Sequence, residues 1–365
     1  MRIFSWIKKL RYLLVLVAVN MLLSFLIEPA SGASGRMWSG YYDEQNLDMI
    51  FVGNSVCQQG FIPDIFNENL SVKAYNMGTP SQAVPQSMRA IEVALKEHDI
   101  KTVVFAMVFS SLKYEPISEA ELTFESARTR QKGGIKGALA TLSYMYSPEV
   151  VSQEESVNFL FPWLYNYEDY SKATMLKNAT QKLEKWKKRL ETGNYDETEG
   201  LNKGFRNDDT RVINYDEIWE DNSYCYYESY FNAEMLADFE ELLSFCAEQG
   251  VDLIVLNTPH PSFDVVSCYE SYENNQEQVK EICDKYGVDY YDFSLVKSEI
   301  YEVQDENFVD YEHLNRAGAK EFCEKLCDFL KLRASGEDMS QYFYSVEEFL
   351  EIHEDLLNEW KQYGN

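Results

Sequence analysis

Basic residues and histidines are scarce in this chain of 365 residues. It contains 33 lysines and arginines against 61 aspartates and glutamates, for a formal net charge of −28, and only four histidines. Binding to nucleic acid or another polyanion needs an excess of positive charge, which this composition excludes over most of the surface. We therefore expect no nucleic-acid partner, and an anionic ligand would need a local basic patch.

A cysteine pattern that would indicate a metal or a disulfide scaffold is also missing. The seven cysteines are an odd number, and none of them stands in a CxxC or CxxH pattern. The sequence therefore indicates neither a zinc site nor a full disulfide framework. Cys323 and Cys327 lie four residues apart on a predicted helix, where we expect them to pack as small apolar side chains. No metal or organic cofactor is implied.

Only one apolar run approaches the length of a membrane span. It extends from Tyr12 to Ile27, after a segment that carries Arg2, Lys8, Lys9 and Arg11. Because basic flanks stay on the cytoplasmic side, we predict a cytoplasmic segment at 1–11, a single transmembrane anchor at 12–28, a linker at 29–45 and the rest outside the cell membrane. A cleaved signal peptide, which would give a secreted protein, is the alternative, since residues 30–33 are small.

The remaining sequence alternates helices, glycine or polar breaks, and short apolar strands. This pattern is typical of an α/β fold with a parallel sheet. We predict five strands: Leu47–Val52, Val72–Asn76, Thr102–Phe109, Asp252–Asn257 and Asp289–Phe293. The pattern breaks between residues 112 and 230, so the domain predicted at 46–335 carries a helical insertion at about 112–230.

The last thirty residues have apolar side chains at helical spacing. Ser345 and Glu348 form a capping-box pattern in front of them. We therefore predict a C-terminal amphipathic helix within 336–365, with its apolar stripe packed in the core.

Ser55 is the candidate nucleophile. It lies in GNSVCQQG, directly after the first predicted strand, where a strand-to-helix turn would expose its hydroxyl. The same pattern is typical of an ordinary helix cap, so Ser55 indicates catalysis only if a base lies nearby.

His313 is the candidate base. It follows Asp310 by three residues in FVDYEHLNRAGAKEF, and an acid at this spacing can orient a histidine ring toward a serine. His98 and His353 fall on predicted helices and are interpreted as surface or packing residues. Ser55 and the Asp310/His313 pair each follow a strand, so we expect them to meet outside the carboxyl ends of the sheet.

Three sequence blocks together resemble the SGNH/GDSL hydrolase superfamily, from about Asp43 to Leu332. They are GNSVCQQG, YNMGTPSQ and DYEHLNRAGA. The resemblance implies a flavodoxin-like three-layer α/β/α sandwich, a catalytic triad of Ser55, His313 and Asp310, and oxyanion donors in the N–H groups of Ser55 and Gly78. The sequence departs from the family pattern at Asn54, where the family usually has an aspartate.

A second departure follows the third predicted strand, where the family has an asparagine that completes the oxyanion hole. This chain has AMVFSSL there, so Ser110 is the candidate replacement. Asn54 and His260, the latter in LNTPHPSF after the fourth strand, are candidates for contact with substrate.

The sequence is also similar in arrangement to anchored members of the superfamily, namely the alginate O-acetylation proteins and the D-alanylation protein of teichoic acid systems. This similarity implies a serine esterase or O-acyltransferase that acts on acyl, foremost acetyl, esters of cell-surface or extracellular glycan through an acyl-serine intermediate. It also implies a membrane-bound O-acyltransferase as partner. Two alternatives stay open: a non-catalytic glycan-binding or assembly protein, and an anchored lipase or thioesterase.

Overall fold

The computed structural model describes residues 2–27, 32–113, 118–131, 134–145, 147, 171–192, 203–207, 209–213 and 231–363. The chain forms two compact units. One contains Met1–Ser39 and Ser118–Glu199, and the other contains Gly40–Ile117 and Gly200–Asn365. All the candidate site residues belong to the second unit.

The second unit is built on a five-stranded parallel sheet. In chain order its strands are β1 (Met49–Gly53), β2 (Ala74–Asn76), β3 (Thr102–Met107), β4 (Asp252–Asn257) and β5 (Asp289–Asp292). Their order across the sheet is β2-β1-β3-β4-β5, and every neighbouring pair is parallel. This is the flavodoxin-like order. The predicted α/β fold with five parallel strands is confirmed.

The strand boundaries differ by a few residues from those predicted. The difference that bears on the site is at β3, which ends at Met107 instead of Phe109. The chain then makes a single 3₁₀ turn at Phe109–Leu112, which places Ser110 and Ser111 on a turn and not on the strand. Aromatic and apolar residues at 105–109 favour a strand, but only tertiary packing decides where the strand stops.

The helices among the described residues are numbered here in chain order. They are α1 (Arg2–Ile27), α2 (Ala33–Asp43), α3 (Ser55–Gly60), α4 (Pro63–Leu70), α5 (Val84–Glu97), α6 (Ser118–Gln131), α7 (Gly134–Met145), α8 (Lys172–Thr192), α9 (Ala233–Gln249), α10 (Ser262–Ser267), α11 (Tyr269–Tyr286), α12 (Arg316–Ala334), α13 (Val346–Ile352) and α14 (Glu354–Tyr363).

Helices cover both faces of the sheet. Side chains alternate between the two faces along each strand. Phe51 of β1 packs against Phe66 of α4, with 4.6 Å between the ring centroids. Phe105 of β3 points to the opposite face and contacts Phe239 of α9 at 5.9 Å. The second unit is therefore a three-layer α/β/α sandwich whose strands are buried on both faces.

The first unit joins α1 to α8. The side-chain amide of Asn178 donates to the carbonyl oxygen of Ile27 over 2.8 Å, and Lys182 donates to that of Phe25 over 2.9 Å. These contacts occupy carbonyl groups at the end of α1, which have no partner within the helix. Much of the predicted insertion at about 112–230 lies outside the described residues.

Among the described residues, no helix combines the length and the apolar character needed to cross a membrane. The anchor predicted at 12–28 therefore has no support from the structure.

The C-terminal segment 336–365, predicted as an amphipathic helix, contains two helices, α13 and α14. The Ser345/Glu348 capping box is present at the start of α13. Helix α13 ends at Ile352, and the next residue, His353, leaves helical geometry and packs its ring against that of Phe349, with 4.4 Å between the ring centroids. Phe349 and Trp360 are buried, so the apolar stripe does pack in the core, but across a break that helical periodicity does not reveal.

Position 53, at the end of β1, requires a glycine for steric reasons. Its φ is +145°, and a Cβ atom at this position would lie 2.0 Å from the carbonyl oxygen of Ala106. We expect Gly53→Ala to lower the free energy of unfolding by about 3 kcal/mol, because β1 and β3 would have to separate. Urea unfolding followed by circular dichroism measures this change.

Gly60→Ala is the matched control. A Cβ atom on Gly60 would meet only Leu314, at an ordinary 3.8 Å. The free energy of unfolding of this variant should stay within about 0.5 kcal/mol of the wild-type value. Equal urea midpoints for the two variants would contradict the steric account of Gly53.

Candidate active site

Ser55 is the first residue of α3, and only Asn54 separates it from Gly53 at the end of β1. Asn54 caps the helix: its side-chain oxygen accepts a hydrogen bond from the Val56 N–H over 3.0 Å. The amide nitrogen of Asn54 donates to Ser111 Oγ over 3.3 Å, which ties the turn to the chain after β3. Both ends of the Asn54 amide are thus engaged in holding the turn that carries Ser55, and its predicted contact with substrate stays a prediction.

His313 and Asp310 lie on a turn before α12. The Asp310 carboxylate accepts the backbone N–H groups of Glu312 and His313 over 2.9 and 2.8 Å. His313 Nδ1 lies 3.0 Å from each Asp310 oxygen, and Nε2 lies 2.8 Å from Ser55 Oγ. The structure therefore brings the three predicted residues into one hydrogen-bonded chain in the order serine, histidine, aspartate.

Competing effects set the pKa values of His313 and Asp310. Burial lowers the pKa of His313, but the hydrogen bond to Asp310 and the negative charges of Asp310 and Glu312 outweigh it, so the net pKa is raised. Burial raises the pKa of Asp310, and the hydrogen bonds from His313 and the backbone reverse that effect, so its pKa is lowered. Asp310 is therefore an anion that stabilises a positive charge on His313.

Gly78, the predicted second oxyanion donor, already has a hydrogen-bond partner in the structure. Its N–H donates to the side-chain oxygen of Asn76 over 2.9 Å and is therefore occupied. It is a glycine for steric reasons, because a Cβ atom would lie 2.7 Å from the Gln58 nitrogen and 2.8 Å from Cys57 Cβ. Gly78 lets the chain after β2 approach α3 closely, and its role as an oxyanion donor stays a prediction.

Asn76, which the sequence did not single out, holds the same region together. This buried side chain donates to the carbonyl oxygens of Cys57 and Phe61 over 2.7 and 2.9 Å. It accepts the Gly78 N–H at the same time. The end of β2 is thereby fixed to Cys57 within α3 and to Phe61, which directly follows the helix. A signal was available, because Asn76 is a polar residue at the end of a predicted buried strand.

Ser110, the candidate for a third oxyanion donor, contacts a carboxylate. Its hydroxyl donates to Glu312 Oε1 over 3.4 Å. Glu312 was not predicted as a site residue, although it lies next to His313 in the sequence. The structure places Ser110 at the carboxyl end of β3, beside the turn that carries the histidine.

His260 forms a second histidine–aspartate pair. It lies after β4, and its Nδ1 is 2.7 Å from Asp264 Oδ2 at the start of α10. The ring is almost entirely buried, and its Nε2 has no hydrogen-bond partner among the described residues. His260 also interacts electrostatically with Glu312 and His313. The predicted rim residue therefore belongs to the surroundings of the candidate triad.

Comparisons with known proteins identify no family. No family model matches the sequence, and no curated protein matches it. One similar solved structure is described as that of "a putative platelet activating factor from Streptococcus pneumonia". It is 11% identical, the match covers 86% of this chain and 98% of that chain, and the TM-score is 0.39. A likeness this distant supports no conclusion about activity.

The Asn76 network gives a prediction about stability. Asn76→Ala would remove one hydrogen bond from each of the Cys57 and Phe61 carbonyl groups and would leave the buried Gly78 N–H without its partner. Each loss costs about 1 kcal/mol or more, so we expect the free energy of unfolding to fall by about 3 kcal/mol. Urea unfolding of the purified variant measures the change.

Asn69→Ala is the control, since this exposed side chain makes a single hydrogen bond to the Ile65 carbonyl. Its unfolding free energy should stay within about 0.5 kcal/mol of the wild type. An equally small change in the free energy of unfolding of Asn76→Ala would show that the hydrogen bonds of Asn76 do not hold α3 in place.

Proposed function

We propose that this protein is a serine esterase or O-acyltransferase of the SGNH/GDSL type, which works through an acyl-Ser55 intermediate. The observation that carries the proposal is the hydrogen-bonded chain from Ser55 Oγ through both ring nitrogens of His313 to Asp310. A serine hydroxyl needs an adjacent base to become a nucleophile, and the base needs an acceptor that fixes its ring. The three side chains meet both requirements.

The first half-reaction follows from these contacts. His313 Nε2 takes the Ser55 hydroxyl proton while Oγ attacks the carbonyl carbon of the acyl ester. When the tetrahedral intermediate collapses, the ester C–O bond breaks and His313 returns the proton to the leaving alcohol. Asp310 stays ionised throughout and stabilises the imidazolium. The products are the free alcohol and acyl-Ser55.

The second half-reaction repeats the sequence with a different nucleophile. His313 takes a proton from water in an esterase, or from an acceptor hydroxyl in a transferase, and that oxygen attacks the acyl-Ser55 carbonyl. The bond to Oγ breaks, and Ser55 recovers its proton from His313. Hydrolysis and transfer thus use the same residues and differ only in what reaches the acyl group.

Stabilisation of the negative oxygen in the intermediate falls first to the Ser55 N–H. The first N–H groups of a helix have no partner within the helix, and the Asn54 side chain accepts the neighbouring Val56 N–H, not that of Ser55. The Gly78 N–H can contribute only if Asn76 releases it. The position of the site supports binding of a ligand, since Ser55 follows β1 and Ser110 follows β3, the pair at which the strand order reverses.

The substrate, the partner and the location are proposals that rest on the sequence. We propose acyl, foremost acetyl, esters of cell-surface or extracellular glycan as substrates and a membrane-bound O-acyltransferase as partner. The basic residues before the apolar run support a domain outside the membrane with the N-terminus in the cytoplasm. Cell fractionation together with protease accessibility in intact cells tests this location.

Reaction with a serine-directed fluorophosphonate tests the proposed chemistry. The wild-type protein should be labelled covalently at Ser55, because His313 activates the hydroxyl. Ser55→Ala should abolish labelling, and His313→Ala should slow it by about 10³-fold or more. Gel fluorescence against time gives the rates.

Ser71→Ala, at the end of α4, is a control that should label at the wild-type rate. Absence of labelling in folded wild-type protein would contradict the proposal and favour the non-catalytic glycan-binding function.

A further inference from the structure

Ser55 belongs to a closed ring of residues at the edge of the sheet. Neighbours in this ring are joined either by a peptide bond or by a hydrogen bond of 2.8 to 3.4 Å. In order around the ring, its members are Ser55, His313, Glu312, Ser110, Ser111 and Asn54. No member is therefore more than three links from the reacting hydroxyl, and a substrate bound at Ser55 lies beside all of them.

Glu312 is the acidic member of this ring. It is joined to His313 by a peptide bond, so their Cα atoms are about 3.8 Å apart. Its carboxylate accepts the hydroxyl of Ser110, which follows β3, whereas Ser55 follows β1, the neighbour of β3 in the sheet. This contact holds the carboxylate at the same carboxyl edge of the sheet as the nucleophile.

The carboxylate of Glu312 has little to neutralise it. Among the described residues, the hydroxyl of Ser110 is its only hydrogen-bond partner, and it forms no ion pair. The 3.4 Å between the two oxygens is long, since such bonds are usually about 2.7–2.8 Å. A partly buried carboxylate is normally paired or held by several donors. Glu312 therefore directs most of its charge at whatever enters the site.

Two cations on segments next to the ring already have acid partners. Arg211, which interacts with the triad aspartate, donates through Nε to both carboxylate oxygens of Asp209 over 3.0 and 2.9 Å. Lys113, which follows the turn of the two ring serines, interacts with Asp264. Each cation thus serves an acid of the protein, which leaves the charge of Glu312 uncompensated in the described part of the site.

Resting on the proposed function, we propose that Glu312 determines specificity: its carboxylate repels negative charge on the acyl group and restricts the site to esters whose acyl group carries none. Acetyl belongs to this class, whereas dicarboxylic and sulfonated acyl groups do not. Like charges a few ångströms apart repel strongly at a partly buried site, and an unpaired charge is a common means of rejecting a wrong substrate. The proton transfers remain with His313.

Two p-nitrophenyl esters of the same shape and different charge test this specificity. In the 3-sulfopropanoate the acyl group ends in a sulfonate, which in the 4,4-dimethylpentanoate is replaced by a tert-butyl group. Release of p-nitrophenolate gives kcat/KM at about pH 8, where an ordinary glutamate is ionised. For the full-length wild type we expect kcat/KM to be about tenfold or more lower for the sulfonate ester, because its charge approaches Glu312.

Glu312→Gln should raise the ratio of the two kcat/KM values about tenfold in favour of the sulfonate ester. Glutamine keeps the shape of the side chain and can accept the Ser110 hydroxyl, but it has no charge. A merely structural role of Glu312 would change both kcat/KM values by the same factor and leave their ratio unmoved. Glu302→Gln is the matched control: it makes the same change in net charge at an exposed position and should keep the wild-type ratio.

The same ratio in the wild type and in Glu312→Gln would overturn the inference. If Glu312→Gln does not fold, the wild type decides, since an equal or higher kcat/KM for the sulfonate ester would overturn the inference equally. Release of p-nitrophenolate that is unaffected by Ser55→Ala would instead contradict the proposed function, and the inference would fall with it.

Discussion

The hydrogen bond between Ser55 and His313 is the constraint on which the site depends. It joins residues 258 positions apart in the chain, over 2.8 Å. Such precision requires that the end of β1 and the turn before α12 are both fixed independently. Asn54 fixes the first by capping α3, and the Asp310 carboxylate fixes the second by accepting two backbone N–H groups. A parallel sheet supplies the frame, because it brings the carboxyl ends of its strands to one edge.

The five parallel strands and the proximity of Ser55, His313 and Asp310 could be predicted from the sequence because their signals are local. Each strand is a short apolar run between polar breaks, whereas the flavodoxin-like arrangement of the strands was implied by the resemblance of the three sequence blocks. Asp310 and His313 are three residues apart, so their mutual geometry is set within one turn. Ser55 needed only the additional argument that both segments follow strands.

The supporting contacts could not be predicted, because they join side chains that are distant in sequence. Nothing in the local pattern reveals that Asn76 reaches Cys57 and Phe61, or that it thereby occupies the Gly78 N–H. A glycine after a strand indicates a turn or a ligand contact equally well, and only the packed structure shows that steric closeness is the cause. Ser110 likewise follows a strand as expected, yet its partner Glu312 lies 202 residues later.

The central claim is that Ser55 carries the acyl group between donor and acceptor, and direct detection of that intermediate tests it best. Wild-type protein would be mixed briefly with excess p-nitrophenyl acetate, quenched with acid, digested and analysed by mass spectrometry. The account predicts an acetyl group on the peptide that contains Ser55 and none on that peptide in Ser55→Ala. An unmodified Ser55 peptide, with ester hydrolysis unaffected by Ser55→Ala, would contradict it.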